Sequence, residues 1–208
     1  MASPASCPSR NDLAMTINRR VFLASSLNAL AFPASAAEDP LAGRFGGPFT
    51  LTAADGKLVS DTDFRGKFML VYFGYTHCPD VCPDDLLVMA EAEKLLGADA
   101  ARVQMLFISV DPERDTPSIM AEYVGSFSPS LIGLSGTETE IAALAKAYRV
   151  HRHKFQPPEA AKDPGNYIVD HSSLKYLMGP DGKFRTLVPH GTSAARMVEI
   201  MRVYLVKG

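Results

Sequence analysis

The sequence predicts a single α/β domain, with a central mixed β-sheet flanked by helices and a β-hairpin at its N-terminal end. Three observations carry that prediction. "KFMLVYFGY" (67–75) and "RVQMLFISV" (102–110) are near-continuous apolar runs, the mark of strands buried on both faces. Each run is followed by a stretch with helical character. The chain then closes with a hairpin and an amphipathic helix, an order that fits layered α/β packing.

The elements follow in turn. "PFTLTAADGKLVS" reads as two short strands around an Asp55-Gly56 turn. After the first buried strand, "DDLLVMAEAEKLLG" places apolar residues at helical spacing. Pro83 suits its first turn, Asp84 and Asp85 complement its N-terminal dipole, and Gly97 suits its stop. Thr116-Pro117 opens a helix to about Ser126, and Thr137 with Glu140 forms a capping box for a helix ending near Tyr148. "HSSLKYLMGPDGKFRTLV" is a hairpin turning at Gly179-Pro180-Asp181-Gly182. Thr192 or Ser193 caps the last helix, "AARMVEIMRVYLVKG".

The 208 residues are 47% hydrophobic and 21% charged with a net charge of -2, so the chain can bury one sizeable core. No basic face is on offer to nucleic acid; the only locally basic run is "YRVHRHK". Residues 1–36 read as a twin-arginine-type signal. Arg19 and Arg20 precede an apolar segment from Val21 to Pro33 and a small-residue site at Ala34-Ser35-Ala36. Met15 opens a signal of more usual length, so residues 1–14, with Cys7, read as an over-extended start. The apolar segment is short for a membrane span. The expected location is therefore a bacterial periplasm, with membrane association through a partner or an uncleaved anchor. Residues 37–46 are expected to form a surface arm and 47–208 the domain.

The mature chain keeps two cysteines, Cys78 and Cys82, in "FGYTHCPDVCPDDL". They lie where the first buried strand gives way to its helix, the end of an open α/β sheet at which ligands bind. A helix N-terminus favours thiolates, which are both nucleophiles and soft-metal ligands. Three residues separate the pair, one more than in a C-x-x-C redox motif, which leaves room for a metal without forbidding a disulfide. A metal needs a third ligand, and His171 in "YIVDHSSLKYLMGPDG" stands out at the lip of a strand. Two thiolates and one imidazole suit Cu(I), tolerate Cu(II) and accept Zn. A thiol–disulfide reductase using Cys78 and Cys82 as catalytic residues, a peroxidase and a structural disulfide are the competing readings. The peroxidase reading lacks the Pro-x-x-x-Thr-x-x-Cys pattern, since Thr76 stands only two before Cys78.

Taken together, "FGYTHCPDVCP", "VDPERDTP" and "YIVDHSSLKYLMGPDGKF" resemble the Sco/SenC family of copper-binding assembly factors, over about residues 45–206. The resemblance implies a thioredoxin-like fold and delivery of copper, Cu(I) or Cu(II) at one ion per monomer, to the dinuclear site of a cytochrome c oxidase. It matches Cys78 and Cys82 to the family's ligand pair and His171 to its ligand histidine. Some members act as thiol–disulfide reductants for that site. The implied partners are the copper-accepting oxidase subunit and a thioredoxin-like thiol reductant.

The neighbours carry weaker expectations. Asp80 is positioned to steady the loop through backbone N–H groups, Asp111 to fix a ligand from behind, and Asp170 to orient His171. Asp115 reads as turn and cap chemistry. His77 reads as lining the site, and Tyr75 and Phe73 as core or pocket. His151 and His153 read as a solvated edge, with a second metal site or a docking face for an acidic partner as the sharper alternative. Local capping or packing explains His190.

Overall fold

The computed structural model describes residues 43–158, 162–163 and 165–206. The leader and Cys7 lie outside the described residues, as do positions 37–42 of the expected arm. Where that arm is described, its last residues are not free surface: Phe45 packs its ring 4.7 Å from that of Phe184. Gly46 N–H donates to the Ala147 carbonyl at 3.1 Å.

The strands are β1 (Thr50–Ala53), β2 (Leu58–Ser60), β3 (Phe68–Gly74), β4 (Val103–Ser109), β5 (Ile132–Ser135), β6 (Arg152–Phe155), β7 (Ile168–His171), β8 (Leu174–Met178) and β9 (Phe184–Pro189). The helices are α1 (Val81–Leu96), α2 (Pro117–Gly125), α3 (Glu138–Tyr148) and α4 (Ala194–Leu205). Seven strands form one sheet in the order β2-β1-β5-β4-β3-β8-β9. β3, β4 and β5 run parallel, and β1, β2, β8 and β9 add antiparallel neighbours, so the sheet is mixed as expected.

Every residue of β3 is buried, and six of seven in β4 are, which is why both read as unbroken apolar runs. α1 and α4 pack together, and α2 packs on β5. The caps obey their local chemistry. Thr116, Thr137 and Ser193 accept from the N–H groups of Ile119, Glu140 and Arg196, and the Glu140 carboxylate closes the capping box on Thr137.

The second sheet, β6 paired antiparallel with β7, has no counterpart in the expected element order. This ribbon runs from the end of α3 to the residue before Ser172, and it carries His171 to the same end of the main sheet as the cysteines.

Candidate metal centre

β3 ends at Gly74, whose carbonyl accepts from Val110 N–H at 2.7 Å. A glycine is needed here. A Cβ would stand 2.8 Å from Cys82 Sγ and 2.6 Å from Phe107 Cε2, so any side chain would push the sulfur away. The following loop turns back on itself through Cys78 N–H donating to the Tyr75 carbonyl at 3.2 Å. α1 begins at Val81, so Cys82 sits in its first turn and Cys78 lies before it. Convergence of the two sulfurs therefore comes from the loop, and not from both cysteines sharing one helical face.

Cys78, Cys82 and His171 are brought together, with their ligand atoms all within 4.8 Å of one another. Both cysteines are free thiols, Cys82 fully buried and Cys78 half-buried. His171 Nε2 stands 3.3 Å from Cys82 Sγ. Its Nδ1 lies 3.2 Å from the Ser172 carbonyl, which can only accept, so Nδ1 carries the hydrogen and Nε2 keeps a lone pair for a ligand. The Tyr75 ring meets the imidazole edge-on at 5.7 Å and Tyr72 flanks it at 6.5 Å, holding the ring's orientation.

The two thiols are electrostatically unequal. A hydrogen bond from the Cys82 thiol, helped by the backbone N–H groups of Asp80 and Cys82, pulls Cys78 down to about 3. The hydrogen bond to the ionised Cys78, together with burial, pushes Cys82 well above the usual thiol range. The coupling thus favours a thiolate at Cys78 and a thiol at the buried Cys82.

The surroundings separate into three cases. Asp111 is fully buried and bound by Arg114 and, at 2.7 Å, by the Tyr167 hydroxyl. The Arg114 guanidinium lies 3.6 Å over the Tyr167 ring and 5.6 Å from the Tyr75 ring. Asp111 thus supports the aromatic wall beside His171 and touches no ligand itself. For Asp80 the role shifts from the carboxylate to the backbone. Its side chain is exposed and makes no cap hydrogen bond, while its N–H points at Cys78.

The expectation for Asp170 is corrected. Successive strand residues face opposite ways, and Asp170 pairs with His151 at 3.2 Å instead of with His171. His153 is exposed, and among the described residues the group of three or more ligand side chains that converges is Cys78, Cys82 and His171, which His151 and His153 do not join.

Two features escaped sequence reading. Asp115, taken as turn chemistry, is fully buried beneath the cysteine loop and accepts from Thr76 and Ser109. Asp85, taken as a partner of the helix dipole, turns inward to a buried ion pair with Lys175, and His190 Nδ1 reaches the same carboxylate at 3.2 Å. Phe73 faces the core, 5.1 Å from the Tyr148 ring.

The model of the SCO1/SenC family matches residues 37–206. The chain belongs to the SCO1/SenC family. Two mitochondrial SCO1 homologues of this family are each 45% identical to it. The mouse protein matches over 141 residues, 67% of this chain and 48% of its own length; that of Arabidopsis thaliana matches over 150 residues, 71% and 43%. The chain thus spans about half the length of the curated relatives it matches. Among solved structures, Bradyrhizobium japonicum ScoI with copper bound superposes with a TM-score of 0.70 at 44% identity, covering 77% of this chain and 99% of the other. That likeness, with the mixed sheet and flanking helices, gives the SCO1/SenC chain the thioredoxin-like fold expected of it. The expected periplasmic location is corrected: the mouse and Arabidopsis relatives in the SCO1/SenC family are mitochondrial proteins, and the bacterial export route falls with it.

Proposed function

We propose that this chain carries copper on Cys78, Cys82 and His171 and delivers it to the dinuclear copper site of a cytochrome c oxidase subunit. The observation that carries the reading is the convergence of two thiols and an imidazole with a free Nε2 lone pair at one end of the sheet. That donor set is soft and of low coordination number, as Cu(I) prefers. The copper-bound relative supports the choice of metal. Arg10, Arg19 and Arg20, several serines and a single acid, Asp12, before Glu38 give the leader the composition of a mitochondrial presequence, in keeping with the relatives' location. Among the described residues no helix is long and apolar enough to cross a membrane.

The unequal burial of the cysteines gives transfer a direction. Cys82 holds the ion from inside, and a partner's thiolate approaches on the side of the half-buried Cys78 and His171. Loading requires both thiols reduced, which implies a thioredoxin-like reductant. The same half-buried Cys78 thiolate favours a second reading, reduction of a disulfide in the oxidase subunit, with Cys78 attacking and Cys82 resolving.

Cu(II) added to the reduced protein separates the two. The expected result is an intense sulfur-to-copper absorption band that Cys78→Ser and Cys82→Ser each abolish. Oxidation of the pair to a disulfide with no bound chromophore would overturn the carrier reading in favour of the reductase. Delivery itself is read by mixing the Cu(I)-loaded protein with the metal-free oxidase domain and finding copper on the acceptor; copper staying put would overturn it.

Binding should also depend on pH in a stated direction. With Cys78 pulled down and Cys82 pushed up, loading is expected to expel a proton from Cys82. Apparent Cu(I) affinity should then rise with pH, by about tenfold per unit for about one proton released. Calorimetry in buffers of different ionisation enthalpy counts that proton. A count near zero would mean that Cys82 is ionised before the metal arrives.

A further inference from the structure

The Cys78 loop is tied to the rest of the domain by one carboxylate, and that carboxylate lies 39 residues away from the residue it binds. Asp115 Oδ1 accepts from the Thr76 hydroxyl at 2.6 Å, and Oδ2 accepts from the Ser109 hydroxyl at 2.6 Å. The Thr76 N–H donates between the two oxygens, at 3.3 and 3.1 Å. Ser109 is the last residue of β4, itself buried, and its oxygen also accepts from Asp111 N–H at 2.9 Å. Thr76 is therefore bound through both backbone and side chain to the end of the neighbouring strand.

The geometry reaches one residue further. The Thr76 hydroxyl gives its hydrogen to Asp115, so its oxygen is left to accept from His77 Nδ1 at 3.0 Å. His77 is thereby oriented at the mouth of the site, immediately before Cys78. A fully buried carboxylate that binds both the backbone N–H and the hydroxyl of Thr76 and also the Ser109 hydroxyl is more than a turn cap, since a cap asks for one oxygen and one N–H.

We propose that Asp115 is a positioning residue. Through Thr76 it holds the Cys78 loop in the copper-receiving conformation and keeps Cys78 from sampling other positions. The assignment rests on Cys78 being a copper ligand. Hydrogen bonds to an ionised group inside a protein are among the strong ones, and losing them frees the loop without emptying the core.

The test uses two variants that act on opposite ends of the clamp. Asp115→Asn replaces one acceptor oxygen by a donor. Thr76→Val keeps the shape of the side chain and its backbone N–H but removes the hydroxyl. Thr76→Ser restores that hydroxyl. Alkylation of Cys78 in the reduced, metal-free protein is followed by peptide mass spectrometry, well below the unfolding temperature. It should accelerate by about tenfold or more in Asp115→Asn and Thr76→Val, the factor that a lost hydrogen bond to a charged group carries. Thr76→Ser should return it to the wild-type rate.

In the Cu(II)-loaded protein the same two variants should shift and broaden the thiolate-to-copper band. A folded Thr76→Val with wild-type alkylation and a wild-type band would overturn the assignment, even if its melting temperature fell. Faster alkylation with no copper band in any protein, wild type included, would support the clamp and overturn the copper reading instead. Should Asp115→Asn fail to fold, Thr76→Val and its serine rescue decide the matter alone.

Discussion

His171→Ala is expected to lose tight Cu(II) binding while keeping a reactive Cys78 thiolate. The substitution removes one donor and leaves both sulfurs where they are, since the loop and first turn of α1 that hold them do not depend on the imidazole. The affinity should fall by at least about 100-fold, because groups that merely orient a metal ligand are themselves worth roughly 10–100-fold. The aromatic contacts of Tyr75 and Tyr72 to the ring would be lost with it, and the space left is bounded by the buried Cys82 sulfur. Two thiolates alone still bind Cu(I) and still exchange with disulfides. The variant therefore splits a copper carrier from a dithiol reductant more cleanly than either cysteine substitution, which removes both activities at once. Competition against a chelator of known affinity measures the loss. Wild-type copper affinity in His171→Ala would remove the imidazole from the ligand set.

What the sequence made legible here is what neighbouring residues dictate to one another. The Thr137–Glu140 capping box, the proline in the first turn of α1 and the two buried strands all act over a few positions, and all appear where their chemistry puts them. The cysteine pair and His171 were legible for a different reason: few residue types serve as soft ligands, and the chain offers few of them. Asp115 and Asp85 were not legible, because an aspartate beside a helix start has a local explanation that is complete in itself. Their actual partners are 39 and 90 residues away and are supplied by the β3–β4 and β3–β8 neighbourhoods. Asp170 failed in the opposite sense. Adjacency in sequence argued for contact with His171, and strand alternation turned the two side chains apart. The leader misled because its arginine pair and apolar stretch drew more weight than its serines and its scarcity of acids. Arginines ahead of an apolar stretch suit a bacterial signal, but the mouse and Arabidopsis relatives that the chain matches are mitochondrial.

Lys175→Met is expected to cost the fold about 3–5 kcal/mol, the typical loss when one partner of a buried ion pair is removed. Lys175 has no exposed surface and Asp85 is 1% exposed, so neither charge can recover hydration in place. The ammonium also lies 5.3 Å from the centre of the Tyr72 ring, its partner across β3 and β8, which adds a smaller attraction. Methionine matches the length and fills the volume, so the loss reports the stranded Asp85 charge more than a cavity. The half-exposed His190 and the Tyr72 hydroxyl also lie near that carboxylate. Burial holds the Lys175 ammonium below its usual range, and Asp85 works against that shift. Removing both charges in Asp85→Leu with Lys175→Met should therefore restore most of the stability that the single change loses. Urea unfolding of the three proteins measures this directly. A single variant within about 1 kcal/mol of wild type would mean that the buried ion pair does not support the fold. A double variant no better than the single one would mean that the packing of Lys175, and not its charge, supports the strand beneath the copper site.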